Sequence, residues 1–309
     1  NMLCGIDEDG RGTYTADGIK AIAESISVSP AVTSIDVGLN GIGRAASLEL
    51  LAAMKGKSMV NIGMAGCSLG VEGSKVVAEM ISVMPSITSV SLLGNYFDIE
   101  TATMLLQMKE GHAKLKTLCG LTHEETQLDY QRKGLGPGDA MLLAPELQVM
   151  ASLTSLNLSD NNLAGETGYV KATAVQGPSF NVGDRVIYQG CEMIVSKGID
   201  SDGEIKMVNL SGVKALAHAL RVNPSLTSVN LLKNRLETEA ASVLLKVKEE
   251  KPMLRTLCGL THAETKLDYR NQGLGQADAM LLAPEISVMT SVTSIDVGYN
   301  DIGQAASLE

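Results

Sequence analysis

Leu153-Thr154-Ser155-Leu156-Asn157-Leu158, followed by Asn161 and Leu163, is the stretch that decides the fold of this chain. Its leucines alternate around Leu156 as they do on a short strand with one buried face, because successive side chains of a strand point to opposite sides. An Asn three residues beyond such a strand can satisfy backbone groups left bare where the chain turns away.

The same pattern recurs at Val32-Thr33-Ser34-Ile35-Asp36-Val37, Ile87-Thr88-Ser89-Val90-Ser91-Leu92, Leu226-Thr227-Ser228-Val229-Asn230-Leu231 and Val292-Thr293-Ser294-Ile295-Asp296-Val297. A polar residue follows each time, at Asn40, Asn95, Asn234 and Asn300, and Cys67 fills that role after Ile62. Between these stretches lie segments such as Gly18–Ile26 and Gly212–Leu220, with apolar residues three and four apart, which predicts helices. Pro30, Pro85 and Pro224 stand where those helices should close. The strand centres Ile35, Ile62, Val90 and Leu118 are 27 or 28 residues apart, as are Leu128 and Leu156, Val229 and Leu257, and Leu267 and Ile295. One strand plus one helix per 28 residues predicts an α/β repeat protein with parallel strands.

This pattern is the Leu-x-x-Leu-x-Leu-x-x-Asn/Cys-x-Leu signature, and the units resemble the ribonuclease-inhibitor type of leucine-rich repeat, a class also found in Ran GTPase-activating proteins and immune receptors. The resemblance implies a solenoid, or horseshoe, with parallel strands on the concave side and helices on the convex side. The expected organisation is leucine-rich repeats over 1–165, a small all-β insertion over 166–210 and further repeats over 211–309, in an array expected to continue beyond 309. The closing Gly303–Glu309 repeats Gly43–Glu49, and Leu3-Cys4-Gly5 begins a partial copy of a later block.

The insertion is expected because Val229 follows Leu156 by 73 residues instead of 28. Tyr169–Val175, Arg185–Tyr188, Glu192–Val195 and Glu204–Val208 are β-branched or alternating runs, separated by turn residues at Gly177-Pro178, Gln189-Gly190 and Asp200–Gly203. Val182-Gly183-Asp184-Arg185-Val186 with Tyr188-Gln189-Gly190 resembles the opening hairpin of SH3-like barrels. With four Lys/Arg against six Asp/Glu, this segment is not expected to bind RNA.

A larger block is duplicated: Thr117-Leu118-Cys119-Gly120-Leu121-Thr122-His123 and Asp139–Glu146 recur as Thr256–His262 and Asp278–Glu285. Within it Leu118 and Leu128, like Leu257 and Leu267, are only ten residues apart, too few for a parallel strand to return through a helix. Either one strand of each pair leaves the ladder or the array bends there.

The formal charge of −10 opposes nucleic acid as a partner, and the five Cys with no apparent leader favour a reducing intracellular compartment, cytoplasmic or organellar. No apolar run is long enough to span a bilayer, so membrane insertion is not expected. Cys119 with His123 and Cys258 with His262 supply only half of a closed zinc site. Asp7-Glu8-Asp9-Gly10 and Asp200-Ser201-Asp202-Gly203 lack the glutamate of a calcium loop, and Gly134-Leu135-Gly136-Pro137-Gly138 lacks the Lys-Ser/Thr of a phosphate loop. No nucleophile motif is visible, so no catalytic, cofactor or metal residue is assigned and enzymatic activity is not expected.

The expected role is a protein-binding scaffold or an accessory subunit of a larger assembly; the alternative implied by the resemblance is a small-GTPase regulator or a sensor. Residues flanking each strand centre should face a partner. The candidates are Asp36, Asn61, Ser91, Asp129, Asn157, Asn230, Asp268 and Asp296, with Tyr130, Tyr269, Arg270 and Tyr299 as the larger anchors that dominate interface energy.

Overall fold

The computed structural model describes residue 13 and residues 15–303; the expectations for Leu3–Gly5, Asp7–Gly10 and 304–309 lie outside them. Two compact units emerge, one formed by the described residues through Glu124 with Lys133–Glu146, the other by Glu125–Arg132 with the described residues from Leu147 onward.

The first unit alternates helices and three-residue strands: α1 (Asp17–Val28), β1 (Ser34–Asp36), α2 (Gly43–Met54), β2 (Asn61–Gly63), α3 (Gly70–Ser82), β3 (Ser89–Ser91) and α4 (Ile99–Glu110). The strands make a parallel sheet in the order β1-β2-β3, with Ile35 opposite Ile62 and Ile62 opposite Val90. Helix α1 turns Ile19, Ala23 and Ile26 inward, the four- and three-residue spacing of one helical face. Asp98 caps α4 by accepting the Thr101 N–H at 2.7 Å.

Asn95 shows why the polar ladder position exists. Its Nδ2 donates to the Met64 and Leu92 carbonyls, each at 2.8 Å, and its Oδ1 accepts the N–H groups of Cys67 at 3.0 Å and Leu69 at 3.1 Å. One buried side chain therefore satisfies groups of its own repeat and of the repeat before it, each bond worth about 1 kcal/mol net. Cys67 substitutes weakly, with Sγ 3.7 Å from the Val37 and Ala65 carbonyls. Placing the amide beneath the strand needs a sharp reversal, and Gly94 and Tyr96 on either side of Asn95 are left-handed, with φ of 73° and 60°.

Helix α5 (Pro137–Val149) follows β4 (Gln127–Asp129) and leads to β5 (Ser155–Asn157). The chain then enters an antiparallel segment of β6 (Val170–Lys171), β7 (Arg185–Tyr188), β8 (Cys191–Lys197) and β9 (Glu204–Val208), and resumes as α6 (Ser211–Val222), β10 (Ser228–Asn230), α7 (Thr238–Glu250), β11 (Lys266–Asp268), α8 (Gln276–Ile286) and β12 (Ser294–Asp296). Within the second unit β5 lies between β4 and β10 in one parallel sheet, and β11 pairs with β12 in another. The sheet β6-β9-β8-β7 surrounds Val175, Val186, Met193, Val195, Ile205 and Met207. Paired bonds between Gln176 and Ile187, at 2.9 and 2.7 Å, bring the first segment back against β7. The strand expected over Tyr169–Val175 is shorter than that, because the chain coils into a 3-10 turn at Ala172–Ala174.

At Asn234 the 73-residue spacing leaves a mark. Its Nδ2 still donates to the Leu158 and Leu231 carbonyls, whereas its buried Oδ1 accepts no bond. The ten-residue irregularity resolves as a break in the sheet. Leu118 lies in no named strand; Thr117 and Cys119 make single bridges to Ser89 and Ser91, and Leu128 belongs to β4, which heads a different sheet. Thr256 and Cys258 bridge Ser228 and Asn230 in the same way, and β11 then starts afresh.

Candidate interaction surface

The central strand residues Ile62, Val90, Leu128, Leu156, Val229 and Leu267 are buried, so their neighbours emerge on the other side. Asp36, Asn61, Asp129 and Asp268 are exposed, and Ser91, Asn157, Asn230 and Asp296 are half-buried. Most of the acidic and amide residues there also have local work. Oδ1 of Asp36, Asp129, Asn157, Asn230, Asp268 and Asp296 accepts the N–H two residues ahead, at 2.8 to 3.2 Å. These bonds turn the chain out of each strand, as Asx turns do. Gly63 makes room for one of them, since a Cβ there would lie 2.2 Å from Asp36 Oδ1.

Three of the four larger anchors, Tyr269, Arg270 and Tyr299, lie just beyond β11 and β12. The Arg270 guanidinium stacks 4.7 Å from the centre of the Tyr299 ring, and its Nη1 lies 3.6 Å from Asp296 Oδ2. Tyr299 is 77% exposed although its backbone is left-handed, with φ of 58°. The residue just before the ladder position is left-handed in the other repeats too, at Leu39, Gly66, Gly94, Asp160 and Lys233, so this conformation belongs to the repeat turn. Tyr269 is half-buried, and burial pushes its hydroxyl up to about 12, followed by the charges of Cys258, Glu264 and Glu285. It remains a neutral phenol at physiological pH. Tyr130 is half-buried as well, and its carbonyl accepts from Asn161 at 2.9 Å.

Two residues of the first unit escape the strand-based reading. Leu39 is 59% exposed and Tyr96 is 71% exposed, both left-handed and both next to a ladder Asn. Sister repeats place glycine at such positions, as at Gly66, Gly94 and Gly134. A large apolar residue where its sisters have glycine is the sequence signal that would have found them.

The duplicated block is built around a buried carboxylate. In the first unit Glu146 accepts the Thr117 hydroxyl at 2.6 Å and the Leu118 N–H at 2.7 Å, with His123 Nε2 at 3.3 Å and Lys109 Nζ at 3.4 Å. In the second unit Glu285 accepts the Thr256 hydroxyl and the Leu257 N–H, both at 2.6 Å, with His262 Nε2 at 3.5 Å and Lys248 Nζ at 3.0 Å. Thr117 Oγ1 in turn accepts the N–H groups of Cys119 and Leu121, knotting the chain where the sheet breaks. Burial, and next the carboxylate beside each, pushes the Cys119 and Cys258 thiols well above their ordinary value, the opposite of an activated nucleophile. Among the described residues no group of three or more His, Cys, Asp or Glu is placed to hold a metal ion.

The remaining motifs are likewise occupied by the chain itself. Asp200 Oδ1 accepts the N–H groups of Glu204 and Asp202, which hold its carboxyl below the usual range. The N–H of Gly136 goes to Asp139 Oδ2 at 2.8 Å, so a carboxylate stands where a phosphate loop would present that donor. No helix of the described residues is long and apolar enough to cross a membrane.

No curated protein matches the chain. Residues 149–166, from the end of α5 through β5 to the turn beyond Asn161, match the family model described as Leucine Rich repeat. The chain therefore carries a leucine-rich repeat, a unit that suggests a role in protein interaction.

Proposed function

We propose that the 28-residue units form one ribonuclease-inhibitor-type array with an SH3-like insertion over 166–210, and that the chain is a non-catalytic scaffold or accessory subunit that holds a protein partner. The observation carrying this reading is the Arg270–Tyr299–Asp296 group on β11 and β12. It sets a stacked Arg and Tyr, residue types rich in binding energy, on an exposed turn. Repeat arrays offer extended surface for such contacts without needing a pocket.

The reading is tested by affinity capture from native extract, comparing the wild-type chain with an Arg270→Glu/Tyr299→Ala variant that retains its circular dichroism spectrum. A partner recovered by the wild type should fall by at least about tenfold with the variant, as expected for loss of an interface anchor. Equal recovery by both chains, or no protein enriched by the wild type, would refute the assignment.

A further inference from the structure

We infer that the hollow beside the start of β10 is an oxyanion-binding site, sized for a phosphate group, with Arg255 as its anchor and the Ser228 hydroxyl as a second donor. The hollow has a volume of about 260 Å³ and is walled by Thr227, Ser228, Arg255, Gly259, Thr261 and His262. Most of its hydroxyl donors are already committed. Thr227 Oγ1 donates to the Thr154 carbonyl at 3.2 Å, and Thr261 Oγ1 donates to Glu264 Oε1 at 2.8 Å. Ser228 Oγ is half-buried and makes no hydrogen bond among the described residues.

Arg132, Arg185, Arg221 and Arg270 each pair with a carboxylate, whereas Arg44, Arg235 and Arg255 have no carboxylate partner among the described residues, and of these three only Arg255 lines this hollow. Its backbone is fixed, because the N–H donates to the Thr227 carbonyl at 2.8 Å, so the side chain starts at the rim of the hollow. The floor stays bare backbone: Gly259 is left-handed, with φ of 71°, and a Cβ there would meet Asn230 at 3.0 Å. Behind the His262 wall, Glu285 is offset by Lys248 at 3.0 Å, and Glu264 Oε1 accepts the N–H and hydroxyl of Thr261. A guanidinium fork with a hydroxyl beside it matches the oxygens of a tetrahedral anion.

The first unit carries the same set with one change. Thr88, Ser89, Gly120, Thr122 and His123 stand in the equivalent places, and Lys116, whose N–H donates to Thr88 at 2.8 Å, replaces Arg255. Lysine offers a point charge in place of a fork, so the Arg255 copy should bind the more tightly.

The test follows the His262 imidazole resonances of the full chain by NMR at constant pH while inorganic phosphate is added, with sodium chloride at matched ionic strength as the control. O-phosphoserine and serine are titrated in parallel. A saturable His262 shift is expected with phosphate or phosphoserine and not with chloride or serine. Phosphate alone identifies the free ion as the source, and phosphoserine alone a modified side chain. Binding should weaken about tenfold in Arg255→Ala and about threefold in Ser228→Ala, with Arg255→Lys between wild type and Arg255→Ala. A shift that never saturates, or one that survives unchanged in Arg255→Ala, overturns the site.

Discussion

Glu146 and Glu285 hold the same four kinds of partner, yet the aspartates seven residues before them differ. Asp139 accepts the N–H groups of Gly94 at 2.7 Å and Gly136 at 2.8 Å, and burial pushes its carboxyl from 3.8 up to about 6. Asp278 accepts the N–H groups of Lys233 and Gly275 at the same two distances, is raised by burial, and is drawn back by those two bonds and, least, by the Lys233 charge. The backbone geometry was copied intact because N–H donors do not depend on side-chain identity. The electrostatics were not, because Asp139 is the more deeply buried of the two and, as a smaller contribution, Gly94 in one copy is Lys233 in the other.

The largest effect should come from the feature the copies share. Glu146→Ala and Glu285→Ala each strip a buried acceptor from a threonine hydroxyl, a backbone N–H and a lysine, and each should cost about 3–5 kcal/mol. Glu285 should cost the more, since Lys248 lies at 3.0 Å and Lys109 at 3.4 Å. Urea unfolding gives the totals, and hydrogen exchange at the Leu118 and Leu257 amides reports each knot separately. Losses under about 1 kcal/mol, well below the range for an uncompensated buried charge, would mean the carboxylates do not hold the breaks in the sheet.

The aspartates separate the copies by pH. Asp139 has a native value of about 6 against 3.8 as its ordinary value, so between those limits the native chain binds the extra proton. Its stabilising contribution is fully present below about pH 4 and is lost as pH rises through about 6, roughly 3 kcal/mol in all. Asp139→Asn should be less stable than wild type at every pH and should flatten that fall. Asp278→Asn should flatten it less, because Asp278 is less deeply buried and Lys233 adds a smaller pull toward the charged form. Urea midpoints at pH 4.5 and pH 7 decide the matter, and an identical pH slope for wild type and Asp139→Asn would contradict the assignment.

How much of this was readable in the sequence depends on the reach of each interaction. The 28-residue register of Ile35, Ile62 and Val90 and the ladder role of Asn95 are local periodic features, and both stand in the sequence plainly. The knot was not readable. Cys119-x-x-x-His123 draws attention as a ligand pair, whereas Thr117 and His123 serve Glu146, which is 23 residues beyond the histidine and sits on an apolar helix. Arg270 and Tyr299 are each legible as large polar anchors, but their stacking depends on the register of β11 and β12 across 29 residues. That the strand-end Asp and Asn residues point outward is legible from the alternation of the strand, whereas the Asx turns to which they give one oxygen each are not.

The smallest expected effect tests whether the two copies pack equally closely. Gly138, the second residue of α5, sits so near the preceding repeat that a Cβ would lie 2.3 Å from the Phe97 carbonyl oxygen and 2.9 Å from that of Asp98. Backbone atoms cannot swing aside as a flexible side-chain tip can, so Gly138→Ala should cost about 2 kcal/mol through overpacking. Ala277 occupies the equivalent second position of α8 and is buried. Ala277→Gly should cost only about 0.5–1 kcal/mol, from the added freedom of the unfolded chain and the lost methyl contact. Thermal unfolding of the two variants beside wild type measures both. A neutral Gly138→Ala would show that α5 has room to retreat, and the close approach would then be a property of neither copy; a loss confined to Gly138→Ala would locate the tighter contact in the first unit, where Asp139 is also the more deeply buried of the two aspartates.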